Sequence, residues 1–143
     1  MSDNESSRNY GLNDADYAAL AQFRRAIRAF LNFSERAARD CGLAPQQHQA
    51  ILAIRGFGSA GEMTVGNLAE HLMIQHNTAV ELINRLQSAG LVERSIDSDD
   101  RRRVTIRLTE KANELLERLS TAHIVELRRS GKELADILGQ FYQ

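Results

Sequence analysis

Residues 91–108 read LVERSIDSDDRRRVTIRL, and in this stretch the apolar residues no longer recur at helical spacing. In residues 91–96 and 104–108, β-branched and other apolar residues are mixed with polar ones, which favours two strands. The acidic residues 97–100 between them are typical of a turn. The stretch therefore predicts a β-hairpin, called the wing below. Three consecutive arginines follow the turn: Arg101, Arg102 and Arg103.

Two helices separated by a short turn are expected before the wing. Thr64 is suited to cap the first of them, and apolar residues at helical spacing from Ala79 to Leu86 mark the second. The turn falls at residues 75–77, and Gly90 ends the second helix. This spacing is typical of a helix-turn-helix, and a basic hairpin directly after it predicts a winged helix over residues 45–108.

Long helices are expected on both sides of the winged helix. Apolar residues recur at helical spacing from Tyr17 to Cys41 and again from Ala112 to Leu127. Thr109 is suited to cap the helix that contains the second set, and Gly131 is expected to interrupt it. Their apolar faces exceed what one small winged helix covers, so a second copy of the chain is the simplest cover. The predicted fold is mainly α, a winged helix-turn-helix with a two-stranded wing, flanked by long N- and C-terminal dimerisation helices.

The predicted organisation is a flexible N-terminal arm over residues 1–16, followed by a single domain over residues 17–143. Within that domain, residues 17–44 and 110–143 supply the dimerisation helices, and residues 45–108 form the DNA-binding lobe.

Composition limits the function classes. No run approaches the ~18 apolar residues that a membrane span needs, the first residues are acidic and polar, and a single cysteine suits a reducing compartment, so a cytoplasmic protein is expected. The net charge of −1 means that any nucleic-acid binding depends on local placement of charge. Neither a catalytic constellation nor the spacing of metal ligands is present, so no enzyme activity, metal or cofactor is expected.

Three segments resemble the MarR family of transcriptional regulators. Residues 86–94, LQSAGLVER, are similar to its L-x-x-x-G-L-V-x-R segment. Residues 97–102, DSDDRR, resemble its D-P-x-D-R-R wing, and residues 108–112, LTEKA, resemble its L-T-E-K-G helix start. The resemblance covers about residues 17–142. It implies a homodimeric protein that binds double-stranded DNA, usually as a repressor, and that is released by small anionic or aromatic compounds.

The predicted DNA-binding residues lie at the start of the second helix and in the wing. Such a helix enters the major groove, and Gln and Asn side chains there can pair with adenine. Glu81 and Arg85 are expected to form an ion pair that holds Arg85 toward a phosphate. The resemblance implies that Arg102 reaches the minor groove and that Asp100 braces the wing through Arg85 or Arg101. The full predicted set is Gln75, His76, Asn77, Thr78, Glu81, Arg85, Arg101, Arg102 and Arg103.

An effector pocket is expected between the dimerisation helices and the winged helix, as the resemblance implies. The residues assigned to it are Arg24, Arg28, His48 and Arg55, and an anionic aromatic effector would suit these cations. The alternative is a solvated helix face with salt bridges between subunits. Two other functions remain open at this point: a redox-responsive regulator that uses Cys41, and a winged-helix protein–protein adaptor that does not bind DNA.

Overall fold

The computed structural model of the chain describes residues 11–58, 63–96, 99–100 and 102–142. Residues 1–10 of the predicted arm, part of the predicted wing turn and Arg101 lie outside these ranges. The helices are α1 (Asp14–Asp40), α2 (Pro45–Phe57), α3 (Val65–Leu72), α4 (His76–Ser88) and α5 (Glu110–Gly139), and a 3-10 turn follows at Gln140–Tyr142. The strands are β1 (Met63–Thr64), β2 (Val92–Ile96) and β3 (Val104–Leu108).

The chain divides into two compact units. The central unit comprises residues 34–124 and contains the predicted winged-helix lobe, and the terminal unit takes the remainder at both ends. None of the helices in the described ranges is both long and apolar enough to span a membrane.

The core of the central unit joins α2, α3, α4 and the first half of α5. Its largest fully buried side chains come from all four helices and from the turn before β2: Ile51, Leu68, Ile83, Leu86, Leu91 and Leu119. Burying aliphatic side chains of this size is the main source of stability in a small unit, because each contributes about 1.5–3 kcal/mol.

Local signals set the helix ends, as the sequence predicts. The Thr64 hydroxyl accepts a hydrogen bond from the Asn67 N–H at the start of α3, and Thr109 accepts one from the Ala112 N–H at the start of α5. Gly90 follows α4 with φ +74°, a left-handed conformation that costs glycine little. These three residues fix where the helix-turn-helix, the wing and α5 meet.

The sheet is antiparallel, in the order β1-β3-β2. The two predicted strands of the wing are confirmed as β2 and β3, with Val92 opposite Leu108 and Ile96 opposite Val104. The short strand β1 adds a third member, with Met63 opposite Ile106. The wing is therefore attached along β3 to the chain segment that begins α3.

Two predicted boundaries are wrong. Helix α1 begins at Asp14, inside the predicted arm, because Asn13 and Asp16 cap it reciprocally: each side chain accepts a hydrogen bond from the other's N–H. Helix α5 continues through Gly131 to Gly139 as one helix. A glycine inside a helix costs only about 1 kcal/mol relative to alanine, so it weakens a long helix without ending it.

The terminal unit contains the first part of α1 and the last part of α5. Phe23 and Phe141 meet edge to face, with ring centroids 6.3 Å apart. Ala19 and Ile137 are buried. Many other large apolar side chains of this unit are exposed: Leu12, Tyr17, Leu20, Ile27, Leu31, Val125, Leu127, Phe141 and Tyr142.

Candidate nucleic-acid interface

The start of α4 presents a row of polar side chains to solvent. The buried face of the helix anchors it through Ala79, Leu82, Ile83 and Leu86. Gln75 occupies the N-cap position and makes no side-chain capping bond. The predicted residues on the other face are all exposed: Gln75, His76, Asn77, Thr78, Glu81 and Arg85. This end of α4 can therefore donate and accept hydrogen bonds toward a ligand outside the protein.

The predicted ion pair between Glu81 and Arg85 does not form. Both side chains are described and exposed, and no ion pair links them. An exposed pair on a helix contributes only about 0.3–0.5 kcal/mol, which is too little to hold two long side chains in one geometry. Instead, Asn84 connects α4 to the wing by accepting a hydrogen bond from the Arg94 guanidinium. Sequence reasoning missed this contact because Arg94 ends the L-x-x-x-G-L-V-x-R segment but nothing in that segment points to Asn84 as its partner.

Asp100 organises the described part of the wing turn. Its carboxylate accepts a hydrogen bond from the Arg102 N–H at 3.0 Å and lies 3.6 Å from the Arg102 Nε. Its main-chain carbonyl accepts a bond from the Arg103 N–H. The predicted partners were Arg85 and Arg101; the partner observed is Arg102, and Arg101 lies outside the described residues. The Arg102 side chain is 95% exposed, so this contact leaves its guanidinium accessible.

Residues of the wing and of the helix-turn-helix line the same open cleft. It has a volume of about 560 Å³, and we call it the wing cleft. The residues that line it are Thr64, Val65, Gly66, His76, Asp100, Arg102, Arg103 and Val104. It thus combines predicted DNA-binding residues from two separate segments of the sequence, and a positively charged wing faces the start of α4.

The predicted effector-pocket residues are divided between the two units. Arg24 and Arg28 are exposed on α1 in the terminal unit. Arg55 lines a separate open cleft of about 620 Å³ in the central unit, where it donates to the Asn113 side-chain oxygen at 3.1 Å. His48 is buried elsewhere in the same unit.

His48 packs against a second histidine. Its ring centroid lies 4.9 Å from that of His123. The His123 Nδ1 donates to the Leu119 carbonyl at 2.6 Å, so in the neutral ring Nε2 accepts from the Ser34 hydroxyl at 2.8 Å. Burial, and secondly the charge of His123, lower the pKa of His48 below its ordinary value. The sequence gives no sign of this contact, because positions 48 and 123 are far apart in the chain.

Protonation of His48 should make the fold less stable in acid. Because its pKa is lowered in the folded state, the unfolded chain binds the proton more readily, and the free energy of unfolding falls as the pH drops below about 6.5. We expect the urea midpoint of the wild type to fall more steeply from pH 8 to pH 5.5 than that of His48→Gln. His71→Gln, an exposed histidine on α3, is the matched control and should keep the wild-type slope. Equal slopes for all three proteins would contradict the assignment.

Metal ligands and reactive thiols are the other chemical groups that a regulator's site could use. The described residues contain no group of three or more His, Cys, Asp or Glu side chains arranged to hold a metal ion. Cys41 is a free, half-buried thiol just after α1.

A helix-turn-helix followed by a small antiparallel sheet with an arginine-bearing wing defines a winged-helix protein. A model of the MarR family matches residues 42–103. The uncharacterised HTH-type transcriptional regulator YcgE of Bacillus subtilis strain 168 is 32% identical over 94 residues, which are 66% of this chain and 59% of YcgE. The match to the family model therefore covers most of the predicted winged-helix lobe, and this chain is similar to the MarR family there.

Solved structures agree on the fold. AbsC, a MarR family transcriptional regulator from Streptomyces coelicolor, matches with a TM-score of 0.72 and 24% identity, over 86% of this chain and 82% of AbsC. The MepR–DNA complex of Staphylococcus aureus matches with a TM-score of 0.62 and 19% identity, over 84% of this chain and 92% of MepR. The predicted winged-helix architecture and the family resemblance are therefore confirmed.

Proposed function

We propose that the chain is a transcriptional regulator that binds double-stranded DNA with α4 in the major groove and the wing in the adjacent minor groove. The observation that carries this proposal is the wing cleft, where the exposed start of α4 faces Arg102 and Arg103. Arginine is favoured in a narrow minor groove, and the N-terminal residues of a recognition helix contact base edges. The relatives support it, since YcgE is named a regulator and MepR has been solved with DNA.

A homodimer is the second part of the proposal. The described residues of the terminal unit include many exposed large apolar side chains, and a large exposed apolar patch marks a protein–protein interface. A two-fold contact between copies covers the same face on each subunit. The two copies of α4 would then enter successive major grooves of a pseudo-palindrome, about 10 base pairs apart.

Leu31→Glu should shift the protein from dimer to monomer. The side chain is 45% exposed on α1, and a two-fold interface would bury two new carboxylates close together. Light scattering at micromolar concentration measures the mass. Leu52→Glu is the matched control, since Leu52 is 47% exposed but lies in the central unit, and it should remain dimeric. A monomeric wild type, or a dimeric Leu31→Glu, would overturn the proposed interface.

We also infer that the protein acts as a repressor that a small effector releases. An effector that binds one arrangement of the dimer better than the other shifts the spacing of the two recognition helices. The exposed cations Arg24 and Arg28 support an anionic ligand, and an aromatic acid is the simplest candidate. A panel of aromatic acids should raise the melting temperature and weaken DNA binding. If none of the aromatic acids changed the melting temperature or the DNA affinity, the effector would be removed from the proposal.

Selection of duplexes from a random DNA library tests the proposed function directly. We expect enrichment of a pseudo-palindrome, whose affinity for the protein falls steeply with salt because several phosphates are contacted. Failure to enrich any sequence, with only weak salt-sensitive binding, would favour the protein–protein adaptor instead. The arginines of the wing argue against that alternative, because an adaptor has no need for cations at this place.

A further inference from the structure

The wing cleft lies where DNA would pass between two grooves. This step rests on the proposed function. An element in the major groove and one in the adjacent minor groove are separated by a single sugar–phosphate backbone. With α4 in one groove and the wing in the other, that backbone must run along the cleft between them. The cleft has a volume of about 560 Å³ and is open to solvent, which suits a polyanion lying across it.

We propose that His76 binds a phosphate of this backbone in its protonated form, so that each subunit takes up a proton when it binds DNA. His76 is the first residue of α4, it is exposed, and it lines the wing cleft. Histidine is the side chain whose charge changes between about pH 5 and pH 8, and its protonated ring donates from both nitrogens. The protonated ring can therefore add a positive charge to the cleft and donate a hydrogen bond to a phosphate.

The charges around His76 explain the coupling. From the wing, Arg102, Arg103 and Asp100 line the same cleft, and Asp100 is engaged by the main chain and guanidinium of Arg102. From the end of β1 and the start of α3, the lining residues 64–66 are uncharged. On α4 itself, the next charged residue is Glu81, more than a helical turn away. A phosphate that enters the cleft adds a negative charge beside the ring and favours its protonated form.

A base contact predicts a different result. If a neutral His76 read a base edge in the major groove, its loss would reduce discrimination at one base pair and leave the pH dependence of binding unchanged. A phosphate contact has no sequence preference, so its loss should weaken binding to all duplexes about equally. The pH dependence therefore separates the two roles.

The test measures the Kd of a fluorescent duplex of the selected sequence between about pH 6 and pH 8 at constant ionic strength. We expect the wild-type Kd to rise about fivefold for each engaged histidine, and so about 25-fold for a dimer that uses both. His76→Gln should bind with a nearly constant Kd over this range. His71→Gln, which removes the exposed histidine stacked on Phe57, should keep the wild-type dependence. Circular dichroism at each pH shows that the proteins remain folded.

A second measurement locates the phosphate. Replacing single phosphates with uncharged methylphosphonates should abolish the pH dependence at one backbone position per half-site and nowhere else. Wild-type binding that is independent of pH, or a His76→Gln variant with the full pH dependence, would overturn the proton-coupled contact while leaving DNA binding intact. Failure to bind any duplex would instead overturn the proposed function, and with it this contact.

Discussion

Arg102→Ala is expected to weaken binding to the selected duplex at least tenfold and to flatten its salt dependence. The guanidinium is almost fully exposed at the wing, where it can enter the minor groove. Loss of one such contact costs about 1–3 kcal/mol, and a dimer loses two. Each lost ionic contact should also reduce the slope of log K against log salt by about 0.9.

The turn should survive this substitution. Asp100 accepts its hydrogen bond from the main-chain N–H of residue 102, which alanine retains, and the exposed ion pair contributes at most about 1 kcal/mol. The loss of affinity is then a property of the side chain and not of an unfolded wing. Arg118→Ala is the matched control, because it removes the same charge from an exposed position on α5 within the central unit. An Arg102→Ala protein with the wild-type salt slope would remove the wing from the DNA interface.

Much of the fold is predictable because its signals are local. Thr64, Thr109 and Gly90 act within a few residues of their own positions, through a cap or a left-handed turn, so the sequence places these three helix ends correctly. Apolar and polar residues alternate along the sequence of β3, and this period of two predicts a strand without any knowledge of its neighbours. The exposed start of α4 follows from the helical spacing of its buried residues.

Other features depend on contacts that no local pattern encodes. Residues 63–65 can be read from the sequence as a very short strand, but two paired residues are too few for a periodicity, and the pairing of Met63 with Ile106 is not encoded locally. The partner of Asp100 is set by the geometry of the wing turn, which charge alone leaves open among several arginines. The contact between His48 and His123 arises from packing between helices that are distant in sequence. Each of these requires the tertiary arrangement before it can be inferred.

Ile83→Ala is expected to destabilise the protein by about 2–5 kcal/mol. Ile83 is 0% exposed in the core of the central unit and lies on the face of α4 opposite its exposed polar residues. Truncation removes three carbon atoms and leaves a cavity that close-packed neighbours fill only in part. Urea unfolding at a fixed protein concentration gives the free energy, since a dimer's stability depends on concentration. We expect the midpoint to fall well below that of the wild type.

Ile96→Ala makes the same chemical change in a different setting. Ile96 is 65% exposed at the end of β2, so its truncation should alter stability by no more than about 0.5 kcal/mol. The comparison tests whether the side chains beneath α4 hold the recognition helix in place. If they do, Ile83→Ala should also weaken DNA binding near its unfolding midpoint, although it removes no group that DNA could contact. Equal stability of the two variants would mean that α4 is not anchored through Ile83.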